Sequence, residues 1–342
     1  MQARAFITGI SGPGLSAAEQ EFIRSQRPWG FILFKRNIET PQQVALLVAE
    51  LRKTLGSPDA PVLIDQEGGR VQRLGPPHWP VYPPGALFGA LYDADPKLGL
   101  SAARLSARLI AADLEALGID VDCLPLADVP VPGADTVIGD RAYGTSPEKV
   151  AAIARAVTEG LGEGGILPVL KHIPGHGRAT ADSHFRLPEV KISKNELERT
   201  DFAAFRPLAD LPMAMTAHVV FSALDPVHPA TTSATIIERV IRGVIGFQGL
   251  LMSDDVSMNA LSGSIAERTQ AILSAGCDMV LHCNGKLEEM REVAAETPEL
   301  SGKALERAGR ALASRRAPQP FDRTRGRAEL NVMMSRARKA GA

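Results

Sequence analysis

Cysteine is scarce: Cys123, Cys277 and Cys283 are an odd number with no Cys-x-x-Cys spacing. They build neither a disulfide framework nor a zinc site, so packed, reduced thiols are expected. Aromatic residues make up 5% of the chain, too few for base-stacking surfaces. Neither sign of charge is in excess. The balance of 38 Lys and Arg against 39 Asp and Glu sets up no global field for nucleic acid or an anionic membrane. Nowhere do about 18 apolar residues run together, so no membrane helix is expected. The apolar run within residues 1–10 is too short for the core of a signal peptide, and no cleavage pattern comes after it. These absences lead us to expect a cytoplasmic protein with no nucleic-acid or membrane partner.

What is present is ordinary for a globular chain with a sizeable core: 45% hydrophobic and 23% charged residues in a total of 342. Short apolar runs at 5–8, 30–34, 61–64, 119–123, 166–170, 213–217, 250–252 and 278–281 read as strands. Amphipathic stretches at 41–55, 97–117, 147–162, 233–245, 265–275 and 287–295 read as helices between them. Strands joined by helical crossovers pair in parallel, and eight is the number that closes a (β/α)8 TIM-type barrel. A doubly wound open sheet is the alternative. Against it, Gly9-Ile10-Ser11-Gly12-Pro13-Gly14 lacks the dinucleotide spacing. Polar residues also gather at strand ends: Asp65, Asp128, Lys171, His218, Asp254 and Asn284, on the face where barrel enzymes carry their chemistry. The expectation is a single α/β domain over 1–320, with a rigid Pro- and Gly-rich insertion at 75–89. A basic tail comes next at 321–342, carrying Arg323, Arg325, Arg327, Arg336, Arg338 and Lys339. It reads as a solvated, partly helical or frayed arm in preference to an anion-binding one.

Three of the seven histidines fall in Lys171-His172-Ile173-Pro174-Gly175-His176-Gly177-Arg178 and the nearby Asp182-Ser183-His184. Titratable side chains carried on a glycine-hinged loop from a strand end suit an active site better than a core; a histidine-rich surface loop is the plain alternative. In an extended segment Asp182 and His184 would point the same way, so that the carboxylate fixes one imidazole nitrogen and the other exchanges a proton. Ser253-Asp254-Asp255-Val256-Ser257-Met258 ends a buried strand; either aspartate could cap the next segment, or Asp254 could act as a nucleophile. Asp65-Gln66-Glu67-Gly68-Gly69-Arg70-Val71-Gln72-Arg73 puts a carboxylate and guanidinium groups on a glycine turn. That combination suits a polyhydroxylated ligand, though a surface ion-pair loop would look similar.

These segments, with Ile138-Gly139-Asp140-Arg141-Ala142-Tyr143-Gly144 and Ala275-Gly276-Cys277-Asp278-Met279-Val280-Leu281, occur in an order that resembles family 3 glycoside hydrolases. The likeness is to the single-domain bacterial β-N-acetylhexosaminidases of peptidoglycan recycling and covers nearly the whole barrel. It implies that Asp254 is the nucleophile, His184 the acid/base and Asp182 its partner. It further implies that Asp65, Arg73, Arg141, Lys171 and His172 bind a non-reducing N-acetylglucosamine, and that His176 shapes a mobile loop. Tyr143, where the family often has phenylalanine, and Cys123-Leu124-Pro125-Leu126 are small departures. The implied reaction is a double displacement with net retention on a muropeptide, by a monomer that needs no metal or cofactor. An imidazole in place of a second carboxylate leaves the site less negative, which would also admit phosphate as acceptor. Two other readings compete. A metal-dependent hydrolase would use His172, His176 and Asp254, but Pro174 and Gly175 oppose the helix that would align the two imidazoles. A sugar-binding barrel without catalysis has no need of Asp254, Asp182 and His184 together.

Overall fold

In the computed structural model residues 2–339 are described, the last three as backbone only. Eight parallel strands close on themselves: β1 (Arg4–Thr8), β2 (Pro28–Leu33), β3 (Val62–Ile64), β4 (Val121–Asp122), β5 (Leu167–Ile173), β6 (Met213–Thr216), β7 (Leu250–Asp255) and β8 (Met279–His282). Each pairs with its neighbours in sequence, and β8 returns to β1 with Phe6 opposite Val280 and Thr8 opposite His282. The single-domain (β/α)8 barrel expected from the strand count is observed. Side-chain alternation of period two divides its core. Ile7, Leu63, Val169, Met215, Met252 and Leu281 fill the interior. Phe6, Ile64, Leu170, Leu251 and Val280 face the layer beneath the helices. Strands apolar on both faces are what a parallel sheet covered by helices requires.

Two strands run further than their apolar runs. β5 continues through Lys171 and His172, because Lys171 N–H donates to Pro125 O at 3.0 Å and Lys171 O accepts from Ala127 N–H at 2.7 Å. β7 continues to Asp255. Local apolarity ends where the strands meet the site, but the backbone ladder does not.

The insertion at 75–89 is only partly a loop: its end begins a helix, Gly85–Ala94, and the helix Pro96–Glu115 comes next with Asp95 as its cap. The 233–245 stretch is helical over Ile236–Ile245, wound in the wider i→i+5 register.

The tail differs most from expectation. Arg323–Lys339 is a helix that packs on Pro96–Glu115 and Gly85–Ala94, with Leu330 and Met334 buried in the outer core. Arg323 and Arg327 both reach Asp113, which is 1% exposed. A buried carboxylate and two apolar anchors dock what composition alone read as a solvated arm. The side chains of Arg338 and Lys339 lie outside the described residues.

Candidate active site

Asp65, Arg73, Arg141, Lys171, His172, Asp182, His184 and Asp254 all line one pocket of about 270 Å³ at the C-terminal mouth of the barrel. Ligand sites commonly span roughly 300–1,000 Å³, so this one lies at the small end.

One wall is a chain of charges. Beyond β3 an antiparallel hairpin, Gln66–Gly68 with Val71–Gln72, turns back on itself and carries Asp65, Glu67 and Arg73. Lys171 Nζ, nearly inaccessible on β5, lies 2.9 Å from Asp65 Oδ1 and 2.6 Å from Glu67 Oε1. Arg73 holds Asp65 Oδ2 at 2.9 Å. Arg141 clasps Glu67 through two bonds of 2.8 Å, the fork geometry that guanidinium and carboxylate share. Burial would raise both carboxyls, but Lys171 and Arg73 hold Asp65 well below the usual carboxylate range, and Arg141 and Lys171 hold Glu67 at about 2. Burial would also favour the neutral amine of Lys171, yet Asp65 and Glu67 raise its pKa above the ordinary value. Asp122 beneath them forms no ion pair among the described residues. Its Oδ1 accepts from Gln66 N–H, its Oδ2 has no hydrogen-bond partner among them, and burial pushes its pKa well up. The wall therefore pairs three cations with two carboxylates, and its donors are oriented before any ligand arrives.

Asp254 and Asp255 both border the pocket, but their carboxylates are engaged differently, which the sequence left open. Asp255 forms the turn: Oδ1 accepts from Ser257 N–H and Cys283 N–H, and Oδ2 accepts from the Ser257 hydroxyl at 2.6 Å. Asp254 lines the pocket, its Oδ1 accepting from Asp255 N–H at 2.8 Å. Burial raises the Asp254 carboxyl, but His218, His172 and that N–H bring it below its ordinary value, so it is an anion.

Asp182 and His184 meet, though not through an extended segment. The chain makes a tight turn in which Phe185 and Arg186 N–H both donate to Asp182 O. Asp182 Oδ1 lies 2.9 Å from His184 N and 2.7 Å from His184 Nδ1. The ring is 61% exposed. With Nδ1 engaged, Nε2 is left to exchange a proton. The turn is pinned from below by His176 Nε2 on Ser183 Oγ at 3.0 Å, and from the side by Ala260 N–H on Ser183 O.

The histidine motif is thus not one loop. His172 is a strand residue whose Nδ1 meets Asp128 Oδ2 at 2.7 Å; His176 is buried, and its N–H donates to Asp128 Oδ1. Each ring has one nitrogen in these bonds, and His176 Nδ1 has no hydrogen-bond partner among the described residues. Among the described residues no three His, Cys, Asp or Glu side chains are grouped to hold a metal ion. Glu67 and Asp128 were not singled out for roles. The signal for Glu67 was its place two residues after Asp65 in a hairpin, and for Asp128 its place beyond β4, opposite the histidine motif.

The chain matches the model of the glycosyl hydrolase family 3 N-terminal domain over residues 8–312. It is 40% identical over 280 residues to a β-hexosaminidase of Alkalilimnicola ehrlichii, covering 81% of this chain and 79% of that protein. With a β-hexosaminidase of Methylococcus capsulatus it shares 39% over 301 residues, 87% and 84% of the two chains. Its fold is similar to NagZ from Neisseria gonorrhoeae in complex with N-trifluoroacetyl-D-glucosamine. The TM-score is 0.84 at 30% identity, over 100% of this chain and 99% of that one. A family 3 β-N-acetylglucosaminidase from a Paenibacillus species gives 0.84 and 30%, over 98% of this chain and 67% of the other. A closed eight-stranded barrel, a pocket at its C-terminal mouth and relatives matched over most of their length agree: the chain belongs to glycosyl hydrolase family 3.

Proposed function

We propose that this family 3 glycoside hydrolase is a retaining exo-β-N-acetylglucosaminidase. Its substrates are peptidoglycan fragments, anhydro-muropeptides, from which it removes terminal non-reducing β-1,4-linked N-acetylglucosamine during cell-wall recycling in the cytoplasm, working as a monomer. The observation that carries the reading is the pairing of an exposed, carboxylate-bound imidazole with a half-buried anionic carboxylate in one small pocket. Relatives named β-hexosaminidase support the reaction class, and the N-acyl glucosamine derivative held by the gonococcal protein supports the sugar.

Asp254 attacks the anomeric carbon while His184 Nε2 protonates the departing oxygen. Asp182 holds the imidazole's other nitrogen and stabilises the imidazolium. His184 then deprotonates a water that releases the sugar with net retention. Asp65, Arg73, Arg141, Lys171 and His172 hold the sugar through hydroxyl and acetamido contacts. Phosphate in place of water would give the glycosyl phosphate.

The reading is tested by product analysis on an aryl β-N-acetylglucosaminide and on an anhydro-muropeptide. The expected first product is the β-anomer of N-acetylglucosamine, with β-glucosides at least about tenfold poorer, or ~1.4 kcal/mol of differential transition-state binding. An α-anomer as first product, or equal turnover of β-glucosides, overturns it. Phosphate in the buffer, with glycosyl phosphate sought among the products, separates hydrolysis from phosphorolysis.

A further inference from the structure

Asp113 lies on the helix Pro96–Glu115, on the outside of the barrel, and is among the most deeply buried carboxylates outside the pocket. Arg323 and Arg327 of the C-terminal helix both donate to its Oδ1, the latter at 3.0 Å. Its Oδ2 accepts from Tyr82, whose hydroxyl is 2.6 Å away. Two guanidinium groups already neutralise this carboxylate, so the tyrosine bond is not needed to satisfy its charge. What it does is bind the insertion to the helix.

Tyr82 is 3% exposed, and both of its backbone groups hold the hairpin that carries Asp65, Glu67 and Arg73. Its N–H donates to Gln72 Oε1 at 2.9 Å, and its carbonyl accepts from Gly69 N–H at 2.9 Å. The residues after it press on the hairpin turn. A Cβ at Gly68 would stand 2.4 Å from Pro83 O, and one at Gly69 2.7 Å from Pro84 Cβ. The same insertion also reaches the other side of the charge wall, since a Cβ at Gly85 would stand 2.1 Å from Arg141 O. The end of the chain is fastened to this assembly by Leu330 and Met334 in the outer core, by Arg108 stacked 4.3 Å over Phe321, and by Arg108 donating to Gln319 O.

We infer that the C-terminal helix is a positioning device for the sugar subsite, acting through Asp113 and Tyr82 on the hairpin of Asp65, Glu67 and Arg73. The inference rests on the proposed sugar-binding role of that wall. Arg323, Arg327, Asp113 and Tyr82 touch no substrate. They set the distance between the hairpin and Lys171, and so the fit of the wall to a ring.

The test compares Tyr82→Phe, Arg327→Met and their combination in the full chain. KM and kcat are read on an aryl β-N-acetylglucosaminide, the Kd of N-acetylglucosamine by calorimetry, and the thermal midpoint alongside. Tyr82→Phe removes one oxygen and leaves Asp113 with both arginines, so it should fold even if the arginine variant does not. The expected result is a rise of about three- to tenfold in KM and Kd, less than the full worth of one hydrogen bond to a charged group because the loss reaches the sugar only through the hairpin, with kcat within about twofold. The combined variant should raise Kd by less than the product of the single effects, because both act through Asp113. Kd and KM unchanged in Tyr82→Phe, with only the thermal midpoint moved, would overturn the inference and leave the helix a structural staple. Arg141→Met is measured in parallel. If it also leaves N-acetylglucosamine binding intact, the sugar-binding reading of the wall fails; if it abolishes binding while Tyr82→Phe does not, the positioning role alone fails.

Discussion

Asp254 and His184 are separable by leaving-group chemistry, because one forms a bond to carbon and the other moves a proton. Asp254→Ala should abolish turnover of every glycoside, however good its leaving group. His184→Ala should slow substrates with sugar or methyl leaving groups by about 10²–10⁴-fold, the usual scale of general acid–base catalysis. Activated aryl substrates should be slowed far less in the first step and should show a burst, with an ester accumulating on Asp254 because no base activates water. Asp182→Asn should give a weaker form of the same phenotype, since it keeps a hydrogen-bond partner for Nδ1 but not the charge that stabilises the imidazolium. Pre-steady-state kinetics with both substrate types checks all three; equal slowing without a burst would make His184 a positioning residue. No three His, Cys, Asp or Glu side chains are grouped to hold a metal ion among the described residues, so activity should survive exhaustive chelation. Loss to EDTA with restoration by zinc would revive the metal-dependent reading.

At the scale of elements, the hairpin Gln66–Gly68 with Val71–Gln72 is where backbone geometry matters most to the pocket. Gly68 has φ +96, and a Cβ there would meet Pro83 O. Gly68→Ala combines a left-handed backbone with a collision against main chain, which cannot swing aside as a side chain would. It should cost about 2–3 kcal/mol of stability and weaken N-acetylglucosamine binding as the hairpin shifts. Gly12 is the control: beyond its own atoms and its two chain neighbours, no atom of the described residues lies within 4 Å of its would-be Cβ, so Gly12→Ala should stay within about 0.5 kcal/mol of the parent. Urea denaturation of both variants decides it. A Gly68→Ala midpoint equal to that of Gly12→Ala would mean that the hairpin and insertion move together without cost.

The whole molecule should lose stability on mild acidification, and His176 is a nameable part of the reason. Burial, reinforced by the neighbouring His172 and opposed by Asp128, pushes His176 down to about 4 from an ordinary 6.5. A depressed histidine is neutral in the folded protein where the unfolded chain would already be protonated. Its contribution is therefore fully present above pH 6.5 and is lost as pH falls from 6.5 towards 4. Between pH 7 and pH 5 that loss amounts to about 2 kcal/mol by linkage. His176→Gln should shrink the difference in unfolding free energy between those two pH values by about that amount, whatever it does to absolute stability. Denaturant curves at both pH values give the answer directly, and an unchanged difference would contradict the assignment. His218 and His282, also buried and depressed, add to the same slope.

The sequence alone determined the barrel, because strand and helix periods are local and eight buried runs with helical crossovers admit few closures. It determined the rim as well, since a polar residue directly after an apolar parallel strand marks the strand's C-terminal end wherever the chain goes next. Asp65, Lys171 and Asp254 were legible for that reason; Arg73, Arg141 and His172 entered as binding residues through the resemblance to family 3, and Asp182 meets His184 through a turn and not the extended segment expected. The tertiary structure alone decided which aspartate of Asp254 and Asp255 is spent on the turn, because the competing donor, Cys283 N–H, arrives from another strand. It alone put Glu67 between Lys171 and Arg141, and fastened Arg323 to Asp113 across 210 positions. A charged side chain looks the same in sequence whether it faces water or a buried partner. What distinguishes the two is the approach of distant segments, which no local pattern encodes.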